Sequence, residues 1–248
     1  MTAHSTASGD YCSFLSWDSE FFGVRIARCD VRQLTPDTIA PILEWCESEA
    51  IDCLYFIAAQ DDQTTIQLAA ENNFLLVDIR MTFEKACGSN PPADKADLPV
   101  RPAQEEDIPI LQGIAASSYR DSRYYFDPNF PDAICDKFYA TWIEKSCRGY
   151  EDIVLVSHLD GRAAGFISCS IIEPGRGQIG LVGVGPEYRG RGQGQVLLQA
   201  AQRWFQDQGA ERIFVVTQGR NIAAQRLYQR AGYVTHSMEL YYHRWFRT

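Results

Sequence analysis

From residue 52 onward, apolar positions fall into short runs separated by polar or Gly/Pro punctuation, and the spacing inside each run predicts its type. Leu54–Ala58 is a compact apolar run, Asp62–Glu71 carries helical spacing, and Phe74–Phe83 alternates as a half-buried strand does. The segment VRPAQEEDIPILQGIAASSY reads strand, turn, helix, because Glu105, Glu106 and Asp107 suit the positive N-terminal end of a helix. Ile153–His158, Ala163–Glu173 and Gly177–Val184 are three further strands, divided by the hairpin signal Asp160-Gly161 and by Pro174-Gly175. In Gln193–Gln208, the residues Val196, Leu197, Ala200, Ala201, Trp204 and Phe205 make one apolar helical stripe, and Gly209 ends it. A strand (Ile213–Thr217), a helix (Ile222–Arg230) and a long aromatic strand (Tyr233–Phe246) follow, so a β-rich meander leads into β-α-β-α-β.

The stretch Ala86–Pro99, ACGSNPPADKADLP, interrupts this order with a Pro pair, Gly, Ser and scattered charge, which is how a surface linker reads. It divides the chain into a polar tail expected to be disordered (residues 1–10), an N-terminal α/β unit (11–85), the linker (86–99) and a larger unit (100–248). Laid over Glu211–Arg244 with a shift of 159 residues, Asp52–Lys85 matches in kind: Leu54-Tyr55-Phe56-Ile57 falls on Ile213-Phe214-Val215-Val216, and Phe83 on Tyr242. Two unrelated β-α-β units would also look alike at this resolution, so a degenerate second copy and a generic recurrence both remain open.

Charge and cysteine usage narrow the partners. A net charge of -9 argues against broad nucleic-acid contact, which needs clustered positive charge. Eight cysteines occur without any CxxC pair and with four histidines as companions, so no metal site is expected and reduced, buried thiols are. No apolar run reaches the length of a membrane span and the N-terminus lacks a signal-like segment, which together read as cytoplasmic.

The most specific chemistry lies in VGVGPEYRGRGQGQ, residues 182–195. A predicted strand passes through a turn holding Gly190, Gly192 and Gly194, flanked by Arg189 and Arg191, into the amphipathic helix. Glycines let the backbone close on a ligand, and the unpaired N–H groups of a helix start attract phosphate. A dinucleotide-binding turn would instead sit in a parallel β-α-β unit with an acidic residue about 20 residues on. The spacing here is Arg-x-x-Gly-x-Gly after an antiparallel meander, and it resembles the pyrophosphate-binding motif of GNAT acetyltransferases. NIAAQRLYQRAGY resembles that family's other signature.

The resemblance implies an α/β (α+β) GNAT fold, with a central mixed, mostly antiparallel sheet flanked by helices, preceded by the smaller N-terminal unit. It implies acetyl-CoA as cosubstrate, with Val182 and Val184 on a splayed strand along the pantetheine arm. Arg189, Gly190, Arg191, Gly192, Gln193, Gly194 and Gln195 would cradle the pyrophosphate, and Asn221, Ala224 and Leu227 would line the arm from the second signature. WDSEFFGVRIAR (Trp17–Arg28) and the segment Ser122–Gly149 are similar to members that acetylate a sugar amine on a dTDP-type nucleotide carrier.

Acetyl transfer to an amine needs a proton for the departing thiolate and a way to remove one from the amine. Tyr228 suits the first: a phenol of ordinary pKa about 10 is protonated at neutral pH. Its alternative is packing behind Leu227, and Asn221 has the alternative of capping its helix. Asp78 is the candidate base, sharing a strand face with Leu76 and Arg80; it could equally be an ordinary ion-pair partner, and Glu20, Asp121 and Asp127 are other acids. The backbone N–H of Val184 could hold the developing oxyanion. Arg123, Tyr124 and Phe126 suit an acceptor nucleotide, through a diphosphate contact and base stacking, or else pack the two units together. A small-molecule amine, most simply a nucleotide-linked amino sugar, is the expected acceptor; a protein or other small amine, or a silent CoA-binding sensor, stays open. The aromatic last strand is either core or the interface of a homodimer.

Overall fold

The computed structural model describes residues 11–88 and 98–246, so the expected tail at 1–10 and most of the expected linker lie outside the described residues. In chain order the N-terminal elements are β1 (Cys12–Phe14), α1 (Ser16–Phe22), β2 (Ile26–Cys29), α2 (Pro36–Ser48), β3 (Cys53–Ala59), α3 (Gln63–Glu71) and β4 (Leu75–Ala86). After them come β5 (Val100–Pro102), α4 (Ile108–Ser118), α5 (Arg123–Phe126), α6 (Asp132–Lys145), β6 (Ile153–Leu159), β7 (Arg162–Glu173) and β8 (Arg176–Val184). The chain closes with α7 (Gln193–Asp207), β9 (Arg212–Gln218), α8 (Ile222–Arg230) and β10 (Val234–Trp245).

All ten strands form one sheet in the order β1-β2-β3-β10-β4-β9-β8-β7-β6-β5. Only β2–β3 and β8–β9 pair in parallel. The turns obey their residues: Asp160 and Gly161 both take positive φ, as a tight hairpin requires. Period-two alternation sorts the side chains into two faces. On β3, Tyr55 joins the core under α1, α4, α5 and α6, while Leu54 and Phe56 join the core under α2 and α3. On β7, Phe166 lies with the first group, and Ile167 and Cys169 pack under α7 and α8. Helices α1, α4, α5 and α6 therefore cover one face, and α2, α3, α7 and α8 the other.

The 159-residue shift is obeyed by the strand register. It carries Ala59 to position 218 and Arg80 to position 239, and so maps the pairing Ala59–Glu239 onto the pairing Gln218–Arg80, both of which occur. Arg80 and Glu239, each the other's counterpart, face one another across β4 and β10 and form an ion pair. From Glu239 to His243 the last strand is thus paired on both edges, by β3 and by β4, with Tyr241 and Tyr242 buried. Its aromatic Tyr241 and Tyr242 are core.

The two parallel pairs, β2–β3 and β8–β9, differ in how far they stay closed. β2 and β3 pair through Arg28–Tyr55, and beyond that the Ala59 N–H still reaches the Arg32 carbonyl, and the Leu34 N–H bonds Thr65 Oγ1 at 2.8 Å. Thr35 and Thr38 form a capping box that occupies the α2 start. β8 and β9, by contrast, part after Ile179–Val215, and the start of α7 has no side-chain cap.

Candidate active site

Past Ile179, β8 keeps only β7 as a partner, through Ile167–Val182, Phe166–Gly183 and Gly165–Val184. The Gly185 N–H bonds the Ala164 carbonyl, so the main-chain groups of Val184 and Val182 alternate away from β7 into the gap toward β9. Arg189 folds back there, its Nε donating to the Val184 carbonyl at 3.2 Å. The turn then takes positive φ at Gly190 (75°) and Gly192 (78°) and enters α7 with no acidic residue in its first turn. Gln195 and Val196 bond the Gly192 carbonyl, which leaves the N–H groups of Gln193 and Gly194 at the helix start. A Cβ on Gly194 would sit 2.9 Å from Leu227 Cδ2, so the glycine is where α7 meets α8. Ala224 and Leu227 pack against the core beneath, and the buried Gln193 Oε1 has no hydrogen-bond partner. A strand edge, open helix N–H groups and positive charge fit a phosphorylated, amide-bearing arm.

Tyr228 is buried between Phe83 and Tyr233, at ring distances of 5.9 and 6.0 Å, and burial pushes its phenol well above the ordinary range. Asn221 Oδ1 accepts the Ala224 N–H at 3.0 Å, so its side chain does cap α8.

The other face of the gap is acidic and arginine-rich. Asp78 lies opposite Tyr241 on β4, where burial lifts its carboxyl to about 6, against the pull of Arg220, of the Ile79 N–H at 2.9 Å and of Arg123. Arg220 donates Nη2 to the Val77 carbonyl at 2.6 Å and lies 3.9 Å from the Phe126 ring, with its buried Nη1 unpartnered. The Arg123 guanidinium is held over Tyr124, Tyr241 and Tyr55 at 4.1, 4.4 and 5.3 Å, and its buried Nε is unpartnered. Asp18 of α1 joins the same chamber: burial raises its carboxyl, opposed by Arg123 and by a hydrogen bond with Tyr124.

Two sequence expectations need correcting. Tyr124 is 2% exposed, with Phe22 stacked at 5.1 Å and Arg123 over its ring; its hydroxyl accepts from Arg123 Nη2, so it positions the arginine and offers no face to a base. Asp127 is fully buried, bonded to His243 Nδ1 (2.7 Å), Trp245 Nε1 (2.8 Å) and Asn129, and is structural. Burial drives His243 down to about 4, so that imidazole is neutral. Phe126, by contrast, is exposed, and Glu20 is exposed on α1. Sequence reasoning missed Arg220 and Asp18; Arg220 directly precedes the NIAAQRLY signature, and that adjacency was the available signal. Among the described residues, no cluster of three or more His, Cys, Asp or Glu could hold a metal ion, and no helix is long and apolar enough to cross a membrane.

A model of the acetyltransferase (GNAT) family matches residues 119–233. The dTDP-fucosamine acetyltransferase of Escherichia coli O6:H1 is 30% identical over 224 residues, covering 88% of this chain and 91% of the relative. The chain belongs to the GNAT acetyltransferase family. Mycothiol acetyltransferase of Mycobacterium avium matches this GNAT enzyme over a shorter stretch, 34% identical across 33% of the chain and 29% of the relative. A GCN5-related N-acetyltransferase from Sphaerobacter thermophilus shares the fold, with a TM-score of 0.68 at 15% identity, over 96% of this chain and 76% of that one. The enzyme is thus an acetyl-CoA-dependent acyltransferase whose sheet and gap have the family's form.

Proposed function

We propose that this GNAT enzyme acetylates the primary amine of a nucleotide-diphosphate amino sugar, of the dTDP type, by direct attack on acetyl-CoA. The carrying observation is the pair Arg123 and Arg220, each with a buried N–H lacking a partner and each acting on Asp78, with Arg220 against the exposed Phe126 ring. Orphaned guanidinium donors in a buried setting are costly unless an anion completes them, and a diphosphate presents oxygens in matching geometry. Phe126, backed by Arg220, gives a nucleobase a face to stack on. The relative named for dTDP-fucosamine supports the same acceptor class.

In this reading Val182 and Val184 bind the pantetheine arm, the 189–195 turn holds the pyrophosphate, and the Val184 N–H faces the carbonyl oxygen. Asp78 removes one proton from the acceptor ammonium; the free amine forms the C–N bond as the C–S bond breaks, and the nitrogen then sheds its second proton. Tyr228 gives its proton to the departing thiolate; burial keeps the phenol protonated until then and makes the resulting tyrosinate a strong base, which recovers the second nitrogen proton through solvent. Calorimetric titration with dTDP tests the acceptor assignment. Arg220→Ala should weaken dTDP binding about 10- to 100-fold, as loss of a charged hydrogen bond does, and leave CoA binding unchanged. Equal dTDP affinity in parent and variant would refute it.

A further inference from the structure

Tyr119 follows α4 as its C-cap, and its ring stacks on that of Tyr139 in α6 at 4.4 Å. α4 lies over β7 and β8, and a Cβ on Gly183 would come 3.2 Å from Ile114 Cγ2, so this helix covers the stretch of β8 that has lost β9. Tyr119 packs with the core under α1, α4, α5 and α6, whereas Tyr228 belongs to the core under α7 and α8. The two phenols nevertheless act on one another. Burial raises the Tyr119 hydroxyl well above the ordinary range, and Tyr139 and Tyr228 add to the rise. The open path between them is the gap where β8 and β9 part. On the other side of the stack, burial lifts the Tyr139 phenol to about 12, opposed by Ser122 and Arg123 and aided by Asp78. Tyr228, Tyr119, Tyr139 and Asp78 thus run from the proposed acid to the proposed base. Within that run the Tyr119 hydroxyl is buried and, among the described residues, has no hydrogen-bond partner. A buried tyrosine hydroxyl ordinarily has one, and here the open position faces the place where the reactants meet.

We propose that the Tyr119 hydroxyl oxygen accepts a hydrogen bond from the attacking nitrogen of the acceptor. This rests on the reading that the amine approaches acetyl-CoA from the side of Asp78 and Arg123, with Tyr228 at the thiolate. The nitrogen is neutral when it attacks and gains positive charge as the C–N bond forms. Its N–H bond to the phenol oxygen therefore strengthens toward the tetrahedral intermediate, which lowers the barrier more than it tightens binding. The same bond aims the nitrogen lone pair at the carbonyl carbon. Tyr119 takes up no proton in this role.

The test is steady-state thiol release from acetyl-CoA by the full chain and two variants, Tyr119→Phe and Tyr125→Phe. The first keeps the ring on Tyr139 and removes only the oxygen. The second removes a hydroxyl from the same stack, 6.3 Å from Tyr139, but one already bonded to Asp136 at 2.6 Å. The acceptor probes are a dTDP-linked amino sugar and, in parallel, hydroxylamine, a neutral nitrogen nucleophile that needs no nucleotide site, with its enzyme-free rate subtracted. Tyr119→Phe should lower kcat for the sugar, and kcat/KM for hydroxylamine, about 10- to 100-fold, the effect of losing a hydrogen bond to a group that becomes charged. The KM values for sugar and acetyl-CoA should hold, and the melting temperature should equal or exceed the parent's, since no hydrogen bond within the protein is lost. Tyr125→Phe should melt lower and keep its kcat. A Tyr119→Phe kcat within about twofold of the parent, an equal loss in Tyr125→Phe, or a loss carried by the acetyl-CoA KM would overturn the proposal. If the parent acetylates hydroxylamine and not the sugar, the nucleotide reading fails, while the hydroxylamine rate of Tyr119→Phe still decides the role of Tyr119.

Discussion

Tyr228 and Asp78 are both lifted by burial, with opposite consequences. For the phenol, the shift keeps it protonated at neutral pH, as the proposed donor role needs, while making it a weaker acid. Tyr228→Phe should lower kcat about 10²- to 10⁴-fold, the worth of a positioned proton donor, with acetyl-CoA affinity unchanged by calorimetry. For Asp78, a value near 6 places its ionisation inside the working range. As the base it acts deprotonated, so kcat/KM should rise with pH through about 6 and level off, and Asp78→Asn should lose that limb along with most of the rate. The same shift has a stability consequence. Because the folded pKa lies above the ordinary 3.8, folding favours the protonated acid, and stability is lost as pH rises through about 6. Asp78→Asn should therefore melt above the parent at pH 8, and the difference should vanish at a pH below the ordinary carboxylate value. The alternation of residues 74–83 put Leu76, Asp78 and Arg80 on one face, but a register shift at Val77 sets Leu76 opposite Tyr242 and Asp78 opposite Tyr241, on different faces; the second signature singled out Tyr228. Tyr124 misled because an aromatic beside an arginine reads the same whether it binds a base or is itself covered by that arginine. Arg220 lies in a loop, where no periodicity marks which way a side chain turns.

At the scale of elements, the turn between β8 and α7, the proposed pyrophosphate cradle, depends on a few backbone dihedrals. Gly192→Ala puts a Cβ on a residue with φ of 78°, at a cost of about 1–2 kcal/mol, and should raise the KM for acetyl-CoA while leaving the acceptor KM unchanged. Asn221→Ala removes the α8 cap and should cost about 1 kcal/mol in denaturant unfolding. The strands from 153 to 184 and the helices at 193 and 222 were legible because each is long enough to show its period. Residues 12–48 were not. β1 has three residues, α2 carries Pro41 in its interior, and short pieces of this kind give a pattern no room to repeat. α6 hid as well, since Phe138, Tyr139, Trp142 and Ile143 wrap it with apolar groups on several sides and blur the stripe.

For the whole molecule, the compositional break at 86–99 separates two segments of chain that share one sheet. β3 takes β10 as one neighbour, and β4 has β10 and β9 on its two edges, so the N-terminal half draws its central pairings from the C-terminal half. Composition marks a boundary, but hydrogen bonds between strands roughly 150 residues apart leave no local trace; only the 159-residue similarity hinted at them. A fragment ending at residue 88 should show no cooperative unfolding alone, and should regain it when expressed with residues 98–248. The central claim concerns the acceptor, and it is tested most directly by thiol release from acetyl-CoA across dTDP- and UDP-linked amino sugars, with Tyr228→Phe beside the parent. The proposed function predicts turnover with a dTDP amino sugar, strongly reduced in the Phe variant. Acetyl-CoA binding without turnover of any nucleotide amino sugar would contradict it.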